Sequence, residues 1–161
     1  MAKQKVILCV GGDASIHDIL ERGFRERTPF QVVFASDQRS AREELRQPDI
    51  EWVAFVVCRS VPIDSGGSLS LRTDMSLDFN TAELIGSMRA MFSGIPIFGI
   101  RQIPFLKDCR YEWWIRGEME RLDAMMYAGC AYISSFLDVV DVIGEYFQAQ
   151  NISLLEYARA L

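Results

Sequence analysis

Cys58 is the residue of this chain whose type and setting best suit covalent chemistry. It ends the apolar run that starts at Trp52, and Arg59 follows it directly. A nearby guanidinium lowers the pKa of a thiol and makes it more nucleophilic, which is how redox-sensing thiols are activated. An inert thiol is the commoner case, because free cysteine is among the most buried residue types. The sequence leaves both interpretations open.

Gly11 and Gly12 form a second candidate site, for an anion. They follow an apolar run and precede a segment of helical periodicity, so their N–H groups and the helix N-terminus could hold a phosphate or carboxylate. Arg59 and Arg101 each follow a further apolar run and could add bidentate contacts to that anion. The GxGxxG fingerprint is absent, so a plain tight turn is the competing interpretation.

Other chemistry is poorly supported by the side chains present. His17 is the only histidine and falls inside the first predicted helix, which argues against a Cys-His pair with Cys58. No acid/base pair or activated nucleophile can be assembled, and we therefore expect a protein that is not an enzyme. The four cysteines are widely spaced without a CxxC pair. This favours reduced thiols and argues against a metal or other cofactor.

These residues are positioned by strands and helices that alternate along the chain. Continuously apolar runs predict strands at 5–10, 30–35, 52–57, 95–100 and 131–133. Apolar residues at helical spacing predict helices at 15–27, 40–47, 82–91, 122–128 and 138–147. Such alternation calls for a parallel sheet with helices on both faces. In this class, ligands bind where the strands end, just where Gly11, Cys58, Arg101 and Ser135 fall.

The order of these motifs resembles the receiver domain of bacterial two-component response regulators, as in CheY. The matching segments are Ile7 to Leu20, Pro48-Asp49, Pro62, Gly94 to Ile97 and Ala128 to Ile133, within residues 5–148. The resemblance implies a doubly wound, flavodoxin-like α/β fold. Its five-stranded parallel sheet would have the order 2-1-3-4-5.

The same resemblance implies that three functional positions of the family are replaced here. The two acidic positions that hold a magnesium ion match Gly11 and Gly12, with only the adjacent Asp13 acidic. A hard cation has thereby lost its oxygen ligands. The aspartate that accepts the phosphoryl group matches Cys58, and a thiol cannot form the acyl phosphate.

Two further family positions are replaced as well. The switch hydroxyl after the fourth strand matches Arg101. The lysine after the fifth strand matches Ser135 if one residue is deleted in that turn. Since all parts of phosphoryl transfer are missing together, the resemblance implies a pseudo-receiver with a degenerate phosphoacceptor pocket.

Three segments exceed the receiver pattern. Within a receiver-like domain at 1–150, insertions fall at about 65–80 and 102–121, and a helical extension follows at 151–161. The first insertion is rich in Gly and Ser and predicts a mobile loop. The second concentrates aromatic residues of the kind enriched at protein interfaces, although packing on the domain's own core is the alternative. These residues are Phe105, Tyr111, Trp113 and Trp114.

The C-terminal tail carries the signature of a short amphipathic helix. Ser153 and Glu156 have capping-box spacing, and an apolar stripe includes Leu154 and Leu155. Such a helix must dock on its own domain or on a second copy of the chain. Leu155 and Tyr157 are therefore candidate interface residues beside the aromatic insertion.

Composition bounds the class of protein. A chain of 161 residues that is 50% hydrophobic and 24% charged can build one real core, which excludes disorder. Its net charge of −5 argues against unspecific binding to nucleic acid or anionic membranes. The apolar run after Lys5 is too short for a signal peptide or membrane span, so we expect a cytoplasmic protein.

The function expected from the sequence is regulatory. The leading hypothesis is a phosphorylation-independent, receiver-like signalling protein that acts by contact with another protein or with a second copy as a homodimer. The alternative is a sensor that binds a small molecule, nucleotide or anion through Gly11, Gly12, Arg59 and Arg101. A thiol redox switch at Cys58 is the third hypothesis.

Overall fold

The fold is an α/β sandwich. The computed structural model describes residues 3–58, 61, 74–101, 119–120, 123–126 and 128–160, with only the helical backbone described for 74–80 and 151–160. The strands in this part of the chain are β1 (Gln4–Val10), β2 (Gln31–Ala35), β3 (Ile50–Cys58), β4 (Ile97–Arg101) and β5 (Tyr132–Ser135). The helices are α1 (Ala14–Arg27), α2 (Gln38–Leu45), α3 (Asp74–Met91) and α4 (Val139–Ala160), and residues 123–126 are also helical.

The sheet has the predicted topology. Its five strands run in the order β2-β1-β3-β4-β5, and every neighbouring pair is parallel. Helices cover both faces, since one buried cluster joins the sheet to α2 and α3 and another joins it to α1 and α4. The predicted doubly wound, five-stranded fold is confirmed.

The central strands explain the continuously apolar runs of the sequence. In β1, residues 6–10 are all buried, and in β3 residues 54–58 are all buried. Alternate side chains enter opposite faces, so that Leu8 and Phe55 belong to one cluster and Ile7 and Val56 to the other. A strand that is buried on both faces has no side exposed to solvent, so its residues are apolar without alternation.

Both helices that follow β1 and β2 begin at an aspartate. The Asp13 carboxylate accepts the N–H of Ile16 at 3.0 Å, and the Asp37 carboxylate accepts the N–H of Ser40 at 2.7 Å. Each bond satisfies one of the backbone donors that a helix start leaves unpaired. Asp13 is thus the N-cap of α1 and Asp37 that of α2.

The strand that carries Arg101 is fixed by close packing. A Cβ on Gly99 would lie 2.9 Å from both the Cys130 Sγ and the Met125 Cε. Only a residue without a side chain therefore allows the helical segment at 123–126 to lie so near β4. Arg101 follows two residues later, at the end of the strand.

Two predicted helix boundaries differ from the structure. The loop expected over 65–80 gives way to α3 at Asp74. The Gly/Ser-rich run 65–70 ends before that point, and no proline lies between Asp74 and Met91. The separate terminal helix expected at 151–161 is instead the continuation of α4 to Ala160. Neither Gly nor Pro lies between Gly144 and Ala160, so nothing in that stretch breaks the helix.

Several predicted residues lie outside the part of the chain that the structure describes. They are Arg59, Phe105, Tyr111, Trp113 and Trp114. Leu155 and Tyr157 lie within α4, in the stretch described only by its backbone. Among the described residues, no helix is both long enough and apolar enough to cross a membrane.

Candidate functional site

The candidate site is the carboxyl edge of the sheet, where the ends of four strands meet. Register places Val10 beside Val57, Cys58 beside Ile100, and Arg101 beside Ser135. Gly11, Gly12 and Asp13 continue from β1 at the same edge. The residues predicted from the ends of β1, β3, β4 and β5 therefore share one edge of the fold.

The turn after β1 is built on two glycines in the left-handed region. Gly11 has φ 85° and Gly12 has φ 84°, values that L-residues with a side chain rarely adopt. The N–H of Gly11 donates to the carbonyl of Ala35 at 2.8 Å, which extends the sheet by one bond. Residues with a side chain are unfavourable at both positions of this backbone, which accounts for the two glycines.

His17 covers the turn, a contact that the sequence analysis, which placed His17 only within the first helix, did not predict. Its Nε2–H donates to the carbonyl of Gly11 at 2.8 Å, and its ring stacks on Phe34 with centroids 4.5 Å apart and an interplanar angle of 24°. A carbonyl only accepts, so Nε2 carries the proton. The available signal was position: His17 lies in the first turn of α1, where side chains lean back toward the preceding strand end.

Gly11 cannot serve as an anion ligand. Its N–H is used by Ala35 and its carbonyl by His17. The plain turn, which was the competing interpretation of the Gly-Gly pair, describes Gly11 correctly. Gly11 is therefore not one of the residues that could bind an anion, contrary to the prediction.

Cys58 lies beneath the same turn and is not an activated nucleophile. The residue is only 3% exposed, and a Cβ on Gly12 would lie 3.4 Å from its Sγ. Burial raises the pKa of the Cys58 thiol to about 12, and the Asp13 carboxylate pushes it in the same direction. Arg59, the arginine expected to lower this pKa, lies outside the described residues. The thiol is neutral at physiological pH.

The other described cysteines are similar. Cys9 and Cys130 are buried free thiols, and burial raises the pKa of both, that of Cys130 to about 11. The expected reduced, buried thiols are thus what the structure contains at these positions. The redox-switch hypothesis receives no support from Cys58.

Arg101 and Ser135 end the two neighbouring strands in different states. The buried Oγ of Ser135 donates to Asp138 Oδ2 at 2.9 Å, at the start of α4. Arg101 is partly buried, and its Nε has no hydrogen-bond partner in the structure described. Ser135 is therefore bonded to the start of its own helix, whereas the Nε of Arg101 has no acceptor among the described residues.

The residues of this edge do not fit a magnesium ion. Mg²⁺ takes oxygen ligands at near-octahedral geometry, usually from carboxylates. Gly11 and Gly12 offer no carboxylate, and Asp13 is used as the cap of α1. Within the described ranges, no group of three or more His, Cys, Asp or Glu side chains is placed to hold a metal.

The Gly12 backbone provides a test of the turn. Gly12→Ala should lower the free energy of unfolding by about 2 kcal/mol, because the added Cβ suffers at φ 84° and meets Ile16, His17 and Cys58 at 3.3–3.5 Å. Gly94→Ala is the matched control, since Gly94 has φ 95° but nothing within 4 Å, and should cost only about 1 kcal/mol. Urea unfolding measures both. Equal stability of Gly12→Ala and the unmodified chain would contradict this geometry.

The raised pKa of Cys58 predicts slow alkylation. At pH 8 a thiol of pKa about 12 holds roughly a thousandfold less thiolate than one at its ordinary value of 9.0, so Cys58 should react with iodoacetamide at least that much more slowly when folded than in urea. Peptide mass spectrometry reports the rate at this cysteine alone. Native and unfolded rates within tenfold of each other would refute the buried, neutral thiol.

The free energy of unfolding should also decrease at alkaline pH because of Cys58. Because the folded pKa of Cys58 is the higher one, its contribution to stability is complete below about pH 9 and is lost as pH rises toward 12. In that window the unfolded chain releases the thiol proton while the folded chain retains it. The free energy of unfolding should therefore fall as pH increases.

Comparisons with known proteins agree on the fold. The chain is similar to a CheY-like response regulator receiver domain protein from Methanospirillum hungatei JF-1, with a TM-score of 0.61 and 13% identity over 93% of this chain and 98% of that one. It is also similar to the signal receiver domain of an HD domain-containing protein from Pseudomonas fluorescens Pf-5, with a TM-score of 0.59 and 12% identity over 95% and 93% of the two chains.

A third similar structure is the chemotaxis protein CheY4 of Vibrio cholerae, with a TM-score of 0.56 and 12% identity over 91% of this chain and 98% of that one. No family model and no curated protein matches the sequence. At these identities the likeness concerns the fold alone. The chain therefore has the CheY-like fold of response regulator receiver domains.

Proposed function

We propose that this chain is a receiver-like regulatory protein that works without phosphorylation, by contact with another protein in the cytoplasm. The observation that carries the proposal is the buried thiol of Cys58 at the position where the family has its phosphoacceptor. Its neutral sulfur offers no carboxylate oxygen to a phosphoryl group. The proposal does not include an enzymatic activity.

The surroundings of Cys58 support the same conclusion. Gly11 and Gly12 supply no metal-binding carboxylate, and the His17 ring covers their turn. Phosphoryl transfer depends on positioning and on neutralising charge with a metal ion and fixed cations. With neither a phosphoacceptor nor a set of metal ligands among the described residues, contact with another protein is the function that we propose for this fold.

One exposed apolar surface suits such contact. It lies at the opposite, amino edge of the sheet, around an open cavity of about 440 Å³ that precedes β4 and β5. We name it the Tyr132 patch, after Met126, Tyr132 and Tyr146, which line the cavity. Met126 is 48% and Tyr132 46% exposed. Such exposed apolar groups at a rigid site are typical of protein interfaces.

The patch is held in place from beneath. The Tyr132 ring stacks on buried Phe98 at 5.3 Å and meets Tyr146 of α4 at 6.2 Å. We take its partner to be a second copy of the chain, because an apolar patch is complementary to itself and two-fold dimers are the commonest assemblies. A rigid aromatic surface loses little conformational entropy on binding.

Treatment with a small phosphodonor tests the phosphorylation-independent part of the proposal. Incubation with acetyl phosphate and Mg²⁺ should leave the intact mass unchanged, since Cys58 cannot form an acyl phosphate. A receiver domain that retains its aspartate serves as the positive control for the reagent. An adduct of one phosphoryl group on this chain would overturn the proposal.

Self-association tests the contact surface. Light scattering should find a dimer, and Met126→Glu should weaken dimerisation at least about tenfold, because a charge would be buried without a partner. Ile19→Glu is the matched control: Ile19 is 43% exposed on α1, away from the patch, and its replacement should leave the dimer intact. A dimer that survives Met126→Glu, or a chain that stays monomeric, would contradict this surface.

A further inference from the structure

Arg101 is the unexplained charged group of the carboxyl edge. It ends β4, is partly buried, and its Nε lies out of contact with solvent without a hydrogen-bond partner. Nor does its guanidinium form an ion pair within the residues described. A buried donor without an acceptor costs free energy, and a desolvated cation without a counter-charge costs more. A group held at such a cost is often part of a binding site.

The carboxylates of the same edge are already engaged. Asp13 accepts the N–H of Ile16 as the cap of α1, and Asp138 accepts the hydroxyl of Ser135. Ser135 is the cross-strand neighbour of Arg101, and its own donor is spent on that bond. Within the described residues, neither carboxylate forms an ion pair with the Arg101 guanidinium.

The neighbouring strand end carries a neutral thiol. Cys58 pairs in register with Ile100, one residue before Arg101, and its buried thiol keeps its proton. An anion at Arg101 therefore meets no charge from Cys58 itself. Guanidinium groups bind phosphate and carboxylate through two parallel, charge-assisted hydrogen bonds.

We propose that Arg101 binds a small oxyanion, a phosphate or carboxylate group, reversibly and without a metal ion at the carboxyl edge of the sheet. The anion accepts hydrogen bonds from the guanidinium and supplies the missing counter-charge. Gly11 takes no part, because its N–H belongs to the sheet. No bond to Cys58 forms, so the event differs from phosphorylation and does not depend on the function proposed above.

Calorimetric titration of the full chain with inorganic phosphate, and separately with sodium acetate, tests this site against a chloride baseline of equal ionic strength. Saturable binding of either anion is expected. Arg101→Met should weaken it at least about tenfold, since a charge-assisted hydrogen bond is lost. Arg89→Met is the matched control, because Arg89 is an exposed arginine at the opposite edge, and it should retain the affinity.

A second readout separates a binding role from a structural one. In buffer without oxyanions, Arg101→Met should raise the Tm by about 2–4 °C, because the unpaired buried donor disappears. Binding of phosphate alone would identify a phosphorylated ligand, and binding of acetate a carboxylate ligand; both support the site. Absence of saturable binding, equal affinity in Arg101→Met, or a lower Tm for that variant would overturn it.

Discussion

The burial of β1 and β3 on both faces is the constraint on which the remaining structure depends. Their side chains enter two apolar clusters, one under α2 and α3 and the other under α1 and α4. An unpaired polar group inside either cluster would be costly, so polar chemistry is confined to the ends of these strands. The carboxyl edge is therefore where this fold can hold either a reactive centre or packed, unreactive side chains.

In this chain the space is filled. Two glycines turn sharply at the end of β1, the His17 ring holds the Gly11 carbonyl from above, and the neutral Cys58 thiol packs from below. The arrangement replaces a charged, metal-dependent centre of the type that the receiver resemblance implies. Arg101, on the next strand, is left as the exception, a cation whose partner is absent from the described chain.

The sequence was sufficient to predict the strands of the sheet, because each strand is a separate apolar run that ends at glycine or at a polar residue. Local sequence patterns failed to predict where helices begin and end. The capping-box spacing at Ser153 indicated a new helix, but α4 continues through it because no residue there breaks a helix. At the site, residue identities are the basis for the proposal that phosphoacceptor chemistry is lost. They did not reveal that His17 bonds to Gly11, because that contact depends on how α1 leans over the strand end.

The central claim is that a receiver fold has lost its metal-binding edge, and titration with Mg²⁺ followed by the amide NMR shifts of Gly11, Gly12 and Asp13 tests it most directly. Where the turn is closed by His17 and no carboxylate pair is present, these three amides should show no saturable change as Mg²⁺ is added. Saturable shifts confined to these amides would show that the edge still holds a metal ion. That result would contradict the account.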